Sequence, residues 1–270
     1  FYGVPDSLLK DFNSHIDSQK HCTNVITANE GNAIGFAIGS YLATEEISCV
    51  YLQNSGLGNA VNPLLSLADE QVMGIPMLMI IGWRGHPDEV DEPQHKKQGK
   101  VTLNMLEAME VPYQILSPAT TDEQAQTIIQ NASKEALKNN KPFVIVVQKD
   151  TFSEYKIKKD NISDFKLFRE EAIKTIVNNL DDKDIIISTT GVASRELFEY
   201  REELKHGHHK DFLTVGGMGH ASQIALGIAL QKPKRNVICI DGDGSFLMHL
   251  GSIKTLGTFA NKNMKYFLLN

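Results

Sequence analysis

The sequence lacks the features of disulfide-rich, membrane-spanning and nucleic-acid-binding proteins. It has only three cysteines, Cys22, Cys49 and Cys239, far apart in apolar stretches, which argues against a disulfide framework or a zinc knuckle. The longest apolar run, residues 75–83, is less than half of the roughly twenty residues that a membrane-spanning helix needs. Acidic residues number 33 and basic residues 27, whereas nucleic-acid-binding domains usually carry a basic patch. We therefore expect a cytoplasmic protein with neither membrane nor nucleic-acid partners.

Short apolar runs bounded by turn residues recur along the 270 residues. They are rich in Val, Ile, Leu and Met, which is typical of strands buried on both faces of a parallel sheet. Amphipathic stretches of helical length separate them, such as residues 121–138 and 169–179. This alternation predicts an α/β protein with doubly wound parallel sheets. The predicted strands cover residues 24–27, 49–52, 77–81, 112–116, 143–147, 185–188, 237–240 and 266–269.

One polar segment interrupts this pattern. Residues 149–166 (KDTFSEYKIKKDNISDFK) carry many charges and no sustained apolar face. We predict one α/β domain over residues 1–150, a linker over 151–166 and a second α/β domain over 167–270. The chain begins without Met and ends directly after an apolar run. We therefore expect it to be part of a longer protein, with the second domain truncated at its C-terminus.

The sharpest local motif is Asp241-Gly242-Asp243-Gly244-Ser245, which directly follows the predicted strand 237–240. Its two glycines let the backbone turn tightly and approach a ligand. Asp243 lies at the carboxyl end of a strand, where open α/β sheets bind their ligands. A carboxylate there suits a hard divalent cation, and the glycine amides suit a phosphate. The alternative is a plain connection between a strand and a helix.

The spacing after this motif predicts a βαβ unit. Twenty-five residues separate Gly244 from Asn270, and they predict a helix over 245–260, a turn and a strand over 264–269. A βαβ unit places its two strands side by side. Asp243 and Asn270 can therefore share one cation.

A GDG motif followed by about 25 residues and an Asn resembles the motif of the thiamine diphosphate enzymes, and a segment near the N-terminus also resembles this family. Residues 27–43 (TANEGNAIGFAIGSYLA) resemble the segment whose Glu bonds N1′ of the aminopyrimidine, which implies that role for Glu30. Taken alone, Glu30 is also explained as an acidic residue that favours a helix N-terminus. The resemblance further implies a Mg²⁺ ion bound by Asp243 and by the second residue of an Asn-containing pair. Asn270 can correspond to either member of that pair.

Further segments extend the resemblance over nearly the whole chain. The loop GGMGHA, from Gly216, resembles the one that contacts the aminopyrimidine. This implies that the Gly216 carbonyl accepts from the 4′-amino group and that Met218 wedges under the cofactor, although Met218 could equally fill a core. The segment TTG, from Thr189, resembles the diphosphate-holding loop. The other cofactor-binding positions implied are Thr190, Gly191, Gly242, Gly244 and Ser245.

Several segments resemble the phosphonopyruvate decarboxylases of this family. They include GVPDSLL, QNSGLGNAVNPL and GWRGHPDEVDEPQHKKQG. The resemblance implies catalytic roles for Glu30, Asp6 and His95, with Asp6 facing the substrate. Phosphonopyruvate is multiply anionic, and the fork of Arg84 suits a phosphonate, so we expect Arg84 and His95 to face the substrate. The alternative is that both belong to a solvated, charge-balanced loop.

The resemblance implies a lyase that converts 3-phosphonopyruvate to phosphonoacetaldehyde and CO2 in phosphonate biosynthesis. It implies a pyrimidine-binding domain followed by a diphosphate-binding domain, in a homodimer or higher homo-oligomer with sites at the subunit interface. Sulfopyruvate decarboxylase is the alternative within the enzyme class, and a non-catalytic nucleotide-binding α/β protein is the alternative outside it. No G-x-G-x-x-G follows the first strand of either half, which disfavours a NAD-linked dehydrogenase.

Overall fold

The computed structural model describes residues 1–156 and 165–270. The chain divides into two compact units, Phe1–Asp160 and Asn161–Asn270. The predicted linker, 151–166, falls partly on residues 157–164, which lie outside the described residues. The domain limits predicted from the sequence therefore stay predictions.

The first unit contains a six-stranded sheet in its described part, with the strand order β2-β1-β3-β4-β6-β5. Every recorded pairing is parallel. The elements are β1 Tyr2–Gly3, α1 Lys10–Ser18, β2 Val25–Ile26, α2 Glu30–Thr44, β3 Ser48–Gln53, α3 Leu57–Pro63, β4 Met77–Gly82, α4 Pro93–Ala108, β5 Tyr113–Leu116, α5 Asp122–Asn139 and β6 Phe143–Val147. A 3₁₀ turn over Asn54–Gly56 precedes α3, and a π-helical turn over Leu64–Ala68 follows it.

Alternation along the central strands builds two cores, one on each face of this sheet. Met77, Met79 and Ile81 of β4 pack with residues of α2, α3 and α4. Leu78 and Ile80 of the same strand pack with residues of α1 and α5. Helices on both faces of a parallel sheet confirm the predicted doubly wound class.

The second unit repeats this architecture with a four-stranded parallel sheet in its described part, ordered β10-β9-β7-β8. Helices α6 and α7 cover one face, and α8 covers the other. Its elements are α6 Arg169–Asn178, β7 Ile185–Ser188, α7 Val192–Glu203, β8 Asp211–Leu213, α8 Ala221–Gln231, β9 Val237–Gly242, α9 Asp243–Met248, α10 Ser252–Phe259 and β10 Met264–Leu269.

The prediction of one continuous helix over 245–260 is wrong. The structure has two short helices, α9 and α10, with a break at residues 249–251. His249 leaves the helical conformation with φ −128° and ψ 48°, and its ring stacks on that of His220 at 4.5 Å between centroids. Gly251, a poor helix former, follows in the break. Tertiary packing of His249 therefore overrides local propensity.

Two features of the described chain bear on its class. No helix there combines the length and the apolar character that crossing a membrane requires. The three cysteines are unpaired; Cys239 is buried, whereas Cys22 and Cys49 are half-buried. The cytoplasmic location stays a prediction.

Candidate active site

A cavity of about 270 Å³ lies at the carboxyl edge of the second sheet. The loops after β7 and β9, the end of β10 and the loop before α8 form its walls. The structure brings seven sequence-predicted positions to this cavity: Thr190, Met218, Gly242, Asp243, Gly244, Ser245 and Asn270. Open α/β sheets bind ligands at this edge.

Asp243 and Asn270 both line the cavity because they follow paired strand ends. Leu269 of β10 pairs with Gly242 of β9, Asn270 follows Leu269, and Asp243 begins α9 directly after Gly242. Together they offer a carboxylate and an amide oxygen, which are ligand types that Mg²⁺ accepts. No cluster of three or more His, Cys, Asp or Glu that could hold a metal occurs among the described residues.

Gly244 leaves room for the side chain of Met218 in this cavity. A Cβ built on Gly244 would lie 3.0 Å from Cε of Met218, closer than ordinary side-chain contacts. The Met218 side chain thus lies over the backbone of Gly244, and it is 38% exposed. Any larger residue at position 244 would displace Met218.

The hydroxyl of Ser245 joins three loops around the cavity. It accepts hydrogen bonds from Oγ1 of Thr189 and from the backbone N–H of Gly219, both at 2.9 Å. Gly219 has φ +89°, which favours glycine, and a Cβ there would overlap the His249 ring. Ser245 therefore positions the backbone of neighbouring loops, a role that its place after the GDG motif did not reveal.

Two predicted cofactor-binding positions of the second unit lie outside the lining of this cavity. Gly191 is the N-cap residue of α7, with φ +97°. Gly216 precedes the two positive-φ residues Gly217 and Gly219 in the loop before α8. The roles of Gly191 and Gly216 stay predictions.

Two charged lining residues, Asp241 and Arg169, were missed by the sequence reasoning. Asp241 is 1% exposed and accepts a hydrogen bond from Oη of Tyr266 at 2.7 Å. Burial and this carboxylate raise the pKa of Tyr266, so Tyr266 acts as a donor. Arg169 is held by Glu196 through two hydrogen bonds of 2.8 Å. Asp241 could have been noted from its place before Gly242, but no local signal marked Arg169.

In the first unit, Glu30 is the first residue of α2 and is only 5% exposed. Asn29 caps this helix, because its side chain accepts from the Asn32 N–H at 2.9 Å. Nδ2 of Asn59 donates to Oε2 of Glu30 at 2.7 Å. A Cβ on Gly56 would overlap Oε1 of Glu30. The carboxyl group of Glu30 is therefore held by Asn59, in space that a glycine leaves free.

Asp6 follows β1 and is 6% exposed. Its Oδ1 accepts from Nε2 of Gln53 at 2.6 Å, while its Oδ2 is buried without a hydrogen-bond partner in the described structure. Burial raises the pKa of Asp6, although the Gln53 bond, the backbone N–H groups of Leu8 and Ser7 and the charge of Arg84 oppose the shift. Asp6 is thus a desolvated carboxyl group at the carboxyl edge of the first sheet.

Arg84, at the loop after β4, is fixed by Asp91. Its Nε and Nη2 donate to the two oxygens of Asp91 at 2.8 and 2.6 Å, and its Nη1 donates to Ser7 Oγ at 2.8 Å. The hydrogen bond from Arg84 holds the pKa of Asp91 far below its usual range. Arg84 also lines a cavity of about 450 Å³. This pairing was not foreseen from the loop sequence.

His95 lies near the start of α4 and shares the charged neighbourhood of Asp6 and Arg84. Burial, and next the charge of Arg84, lower the pKa of His95, while the carboxylates of Asp91 and Asp6 oppose the shift. Its Nδ1 is buried and has no hydrogen-bond partner within the described ranges. The structure thus brings three predicted residues, Asp6, Arg84 and His95, into one electrostatic environment.

Both units match known sequence families. Residues 1–108 match the model of the thiamine pyrophosphate enzyme N-terminal binding domain, and residues 189–270 match that of the C-terminal binding domain. Thiamine pyrophosphate is another name for thiamine diphosphate. The phosphonopyruvate decarboxylase of Streptomyces viridochromogenes is 31% identical over 99% of this chain and 68% of its own length. The chain belongs to the thiamine diphosphate-dependent decarboxylase family. Members of this family are lyases.

Sulfopyruvate decarboxylases of this family are also similar to the chain. The enzyme of Methanosarcina acetivorans is 28% identical over 87% of the chain and 62% of its own length. The β subunit of the Methanocaldococcus jannaschii enzyme is 44% identical over 35% of the chain and 47% of its own length. The N-terminal match includes Asp6, Glu30, Arg84 and His95, and the C-terminal match includes every lining residue of the cavity around Asp243 except Arg169.

Proposed function

We propose that the protein, with thiamine diphosphate and Mg²⁺, converts 3-phosphonopyruvate to phosphonoacetaldehyde and CO2. The observation that carries this proposal is the cavity of the second unit, where Asp243, Asn270 and the backbone of Gly242–Gly244 converge. The near-complete coverage of the chain by the similarity to a phosphonopyruvate decarboxylase supports the choice of substrate. A role in cytoplasmic phosphonate biosynthesis is part of the same proposal.

The residues of this cavity fit a cation-bound diphosphate. Asp243 and Asn270 supply oxygen ligands, and Mg²⁺ commonly combines one or two protein ligands with phosphate oxygens and water. The backbone N–H groups at the start of α9 suit anionic oxygens. When bound, thiamine diphosphate supplies the electron sink that the loss of CO2 from a 2-oxo acid requires.

The buried carboxyl groups of the first unit suit proton handling. Glu30 is buried and Asn59 holds its Oε2, so Oε1, the oxygen that Asn59 does not contact, is available to N1′ of the aminopyrimidine. The product aldehyde needs one proton on the carbon that loses CO2, and the buried Asp6, whose pKa is raised, suits a donor. These roles of Glu30 and Asp6 are part of the proposal.

Arg84 retains donors for the anionic end of the substrate. Its guanidinium has five N–H bonds, and the described contacts to Asp91 and Ser7 use three of them. Two N–H bonds remain in an orientation that Asp91 fixes. A phosphonate is a good acceptor for such a pair.

A sulfonate is the specific competitor, because the similarity to sulfopyruvate decarboxylases is also substantial. Phosphonate and sulfonate groups each carry three oxygen atoms in a similar arrangement. The contacts of Arg84 therefore do not discriminate between the two substrates. The relative kcat/KM for the two substrates decides between the alternatives. The third hypothesis is a non-catalytic α/β protein, and the presence of both Glu30 and Asp243 disfavours it.

We also propose a homodimer or higher homo-oligomer with its sites at the subunit interface. In the first unit, α2 exposes Phe36 and Leu42, which are 49% and 62% exposed. A Cβ on Gly35 or Gly39 would meet no atom within 4 Å, so this side of α2 is open to close packing. The second unit exposes Leu247, Leu250, Ile253 and Phe259. Where such side chains form a contiguous patch, the patch is typical of an interaction surface.

The proposal is tested by following CO2 release from phosphonopyruvate and sulfopyruvate with purified protein. We expect turnover that requires both thiamine diphosphate and Mg²⁺, with the higher kcat/KM for phosphonopyruvate. A higher kcat/KM for sulfopyruvate would make the sulfonate the substrate. Absence of release from any 2-oxo acid at saturating cofactor would contradict decarboxylation.

A further inference from the structure

We infer that Gln53 is a positioning residue that assigns separate tasks to the two oxygens of Asp6. In this arrangement Oδ1 is the fixed acceptor, and Oδ2 is the oxygen that carries the transferable proton. Ser55 holds the Gln53 amide in the required orientation. The inference rests on the proposed function, because it concerns the proton that replaces CO2.

The evidence is a short chain of hydrogen bonds at the end of β3. Oγ of Ser55 donates to Oε1 of Gln53 at 2.5 Å, and Nε2 of Gln53 donates to Oδ1 of Asp6 at 2.6 Å. With Ser55 donating to its oxygen, the amide presents its nitrogen to Asp6. A reversed amide would place Oε1 against the carboxyl group and remove the donor.

This orientation decides which oxygen of Asp6 binds a proton. A proton on Oδ1 would face the N–H of Gln53, so two donors would compete for one place. Oδ2 is free of such competition, because it is buried with no hydrogen-bond partner in the described residues. The protonated form of Asp6 therefore carries its hydrogen on Oδ2.

Carbon atoms of Gly82, Leu8 and Leu9 lie close to Oδ2. A Cβ built on Gly82 would lie 2.5 Å from Oδ2, 3.2 Å from Cγ of Leu9 and 3.4 Å from Cδ2 of Leu8. Oδ2 thus packs on the bare backbone of Gly82, beside two leucine side chains. A carboxylate oxygen without a donor is costly in such a place, so Oδ2 favours a proton. Besides Gln53, the backbone N–H groups of Leu8 and Ser7 and the charge of Arg84 act on the Asp6 carboxyl group, and Asp6 in turn acts on His95.

The proton balance of the step is simple. The O–H bond at Oδ2 of Asp6 breaks, and a C–H bond forms at the carbon that lost CO2. Asp6 is left ionised, with Oδ1 still bonded to Gln53, and solvent returns a proton to Oδ2 before the next turnover. The bond from Gln53 stabilises this ionised form.

The test is Gln53→Met, which keeps the length of the side chain and removes the donor. Ser55→Ala is the second variant, and the matched controls in the first unit are Gln19→Met, at a half-buried residue, and Ser66→Ala, at an exposed one. We expect Gln53→Met to slow aldehyde formation about tenfold with little change in KM, because a bond to a charged group is lost. Ser55→Ala should give a smaller loss of the same kind.

The pH profile separates positioning from a merely structural role. Loss of the Gln53 donor raises the pKa of Asp6, so Asp6 keeps its proton to a higher pH. The alkaline limb of aldehyde formation should therefore move upward by about one pH unit in Gln53→Met. A loss of activity with an unmoved alkaline limb, or a profile identical to that of Gln19→Met, would overturn the inference.

An activity-independent measurement completes the test. The Asp6 carboxyl carbon can be titrated by ¹³C NMR in the holoenzyme, with Asp6→Asn for its assignment. The inference requires a higher titration midpoint in Gln53→Met than in wild type, and an unchanged midpoint overturns it. Asp6→Asn with full turnover would also overturn it, whereas a wild type that decarboxylates no 2-oxo acid would remove the proposed function instead.

Discussion

Tyr266→Phe removes the hydroxyl that hydrogen-bonds to a buried carboxylate in the second unit. Oη of Tyr266 lies 2.7 Å from Oδ2 of Asp241, and Asp241 is 1% exposed. Hydrogen bonds to charged groups contribute about 1.5–3 kcal/mol, and an unsatisfied buried acceptor adds to the cost. We expect the free energy of unfolding of the second unit to fall by about 2 kcal/mol. Oδ1 of Asp241 keeps its bond from the Gly242 N–H at 3.0 Å, so the loss is partial.

The matched control is Tyr200→Phe in the same unit. Oη of Tyr200 donates to the amide oxygen of Asn178 at 2.9 Å, in an exposed pair. A neutral, exposed bond contributes less, about 0.5–1 kcal/mol. Urea unfolding followed by circular dichroism measures both variants; the single Trp, Trp83, lies in the first unit and does not report on the second. Equal losses in the two variants would refute the argument from burial and charge.

Three further changes test other parts of the site. Glu30→Gln should abolish decarboxylation while leaving the unfolding midpoint near that of wild type, because it replaces the carboxyl group with an amide and keeps the side-chain volume; near-normal turnover would count against the role of Glu30. Gly56→Ala should lower kcat at least tenfold, since its Cβ would overlap the Glu30 carboxyl group, whereas Gly58→Ala, which has open space for a Cβ, should be nearly neutral in the same assay. Because Arg84 lowers the pKa of folded Asp91, their pairing adds stability above the unfolded pKa of about 3.9 and loses it as pH falls through the lower folded value. Asp91→Asn should therefore be less stable than wild type at pH 6 but lose less stability on acidification below pH 4, and parallel stability–pH curves would contradict this.

Much of the fold was predictable because burial on both faces leaves a clear sequence pattern. The strand predicted at 143–147 matches β6, and that at 77–81 misses only the final residue of β4. The strand β8, Asp211–Leu213, was missed because it is short and begins with a charged residue. The break between α9 and α10 depends on the stacking of His220 and His249, a contact between segments about 30 residues apart that no local propensity contains.

The site was predictable in its motif residues and less so in their partners. Asp243 and Asn270 could be placed together because a βαβ unit sets the neighbours of a strand. Asn59, which donates to Glu30, lies on a different helix and far from Glu30 in sequence. No local sequence pattern could therefore predict this hydrogen bond. Arg84 and Asp91 belong to a loop with many charges of both signs, so the sequence alone did not specify which pair forms.

The binding of thiamine diphosphate, measured by calorimetry with and without Mg²⁺, tests the central claim most directly. Wild type should bind thiamine diphosphate with Mg²⁺ and lose most of its affinity when the cation is chelated. Asp243→Ala should bind weakly at the Mg²⁺ concentration that saturates wild type and recover in part at higher Mg²⁺. Equal affinity with and without the cation, or an Asp243→Ala variant that binds like wild type, would contradict the assignment of this cavity.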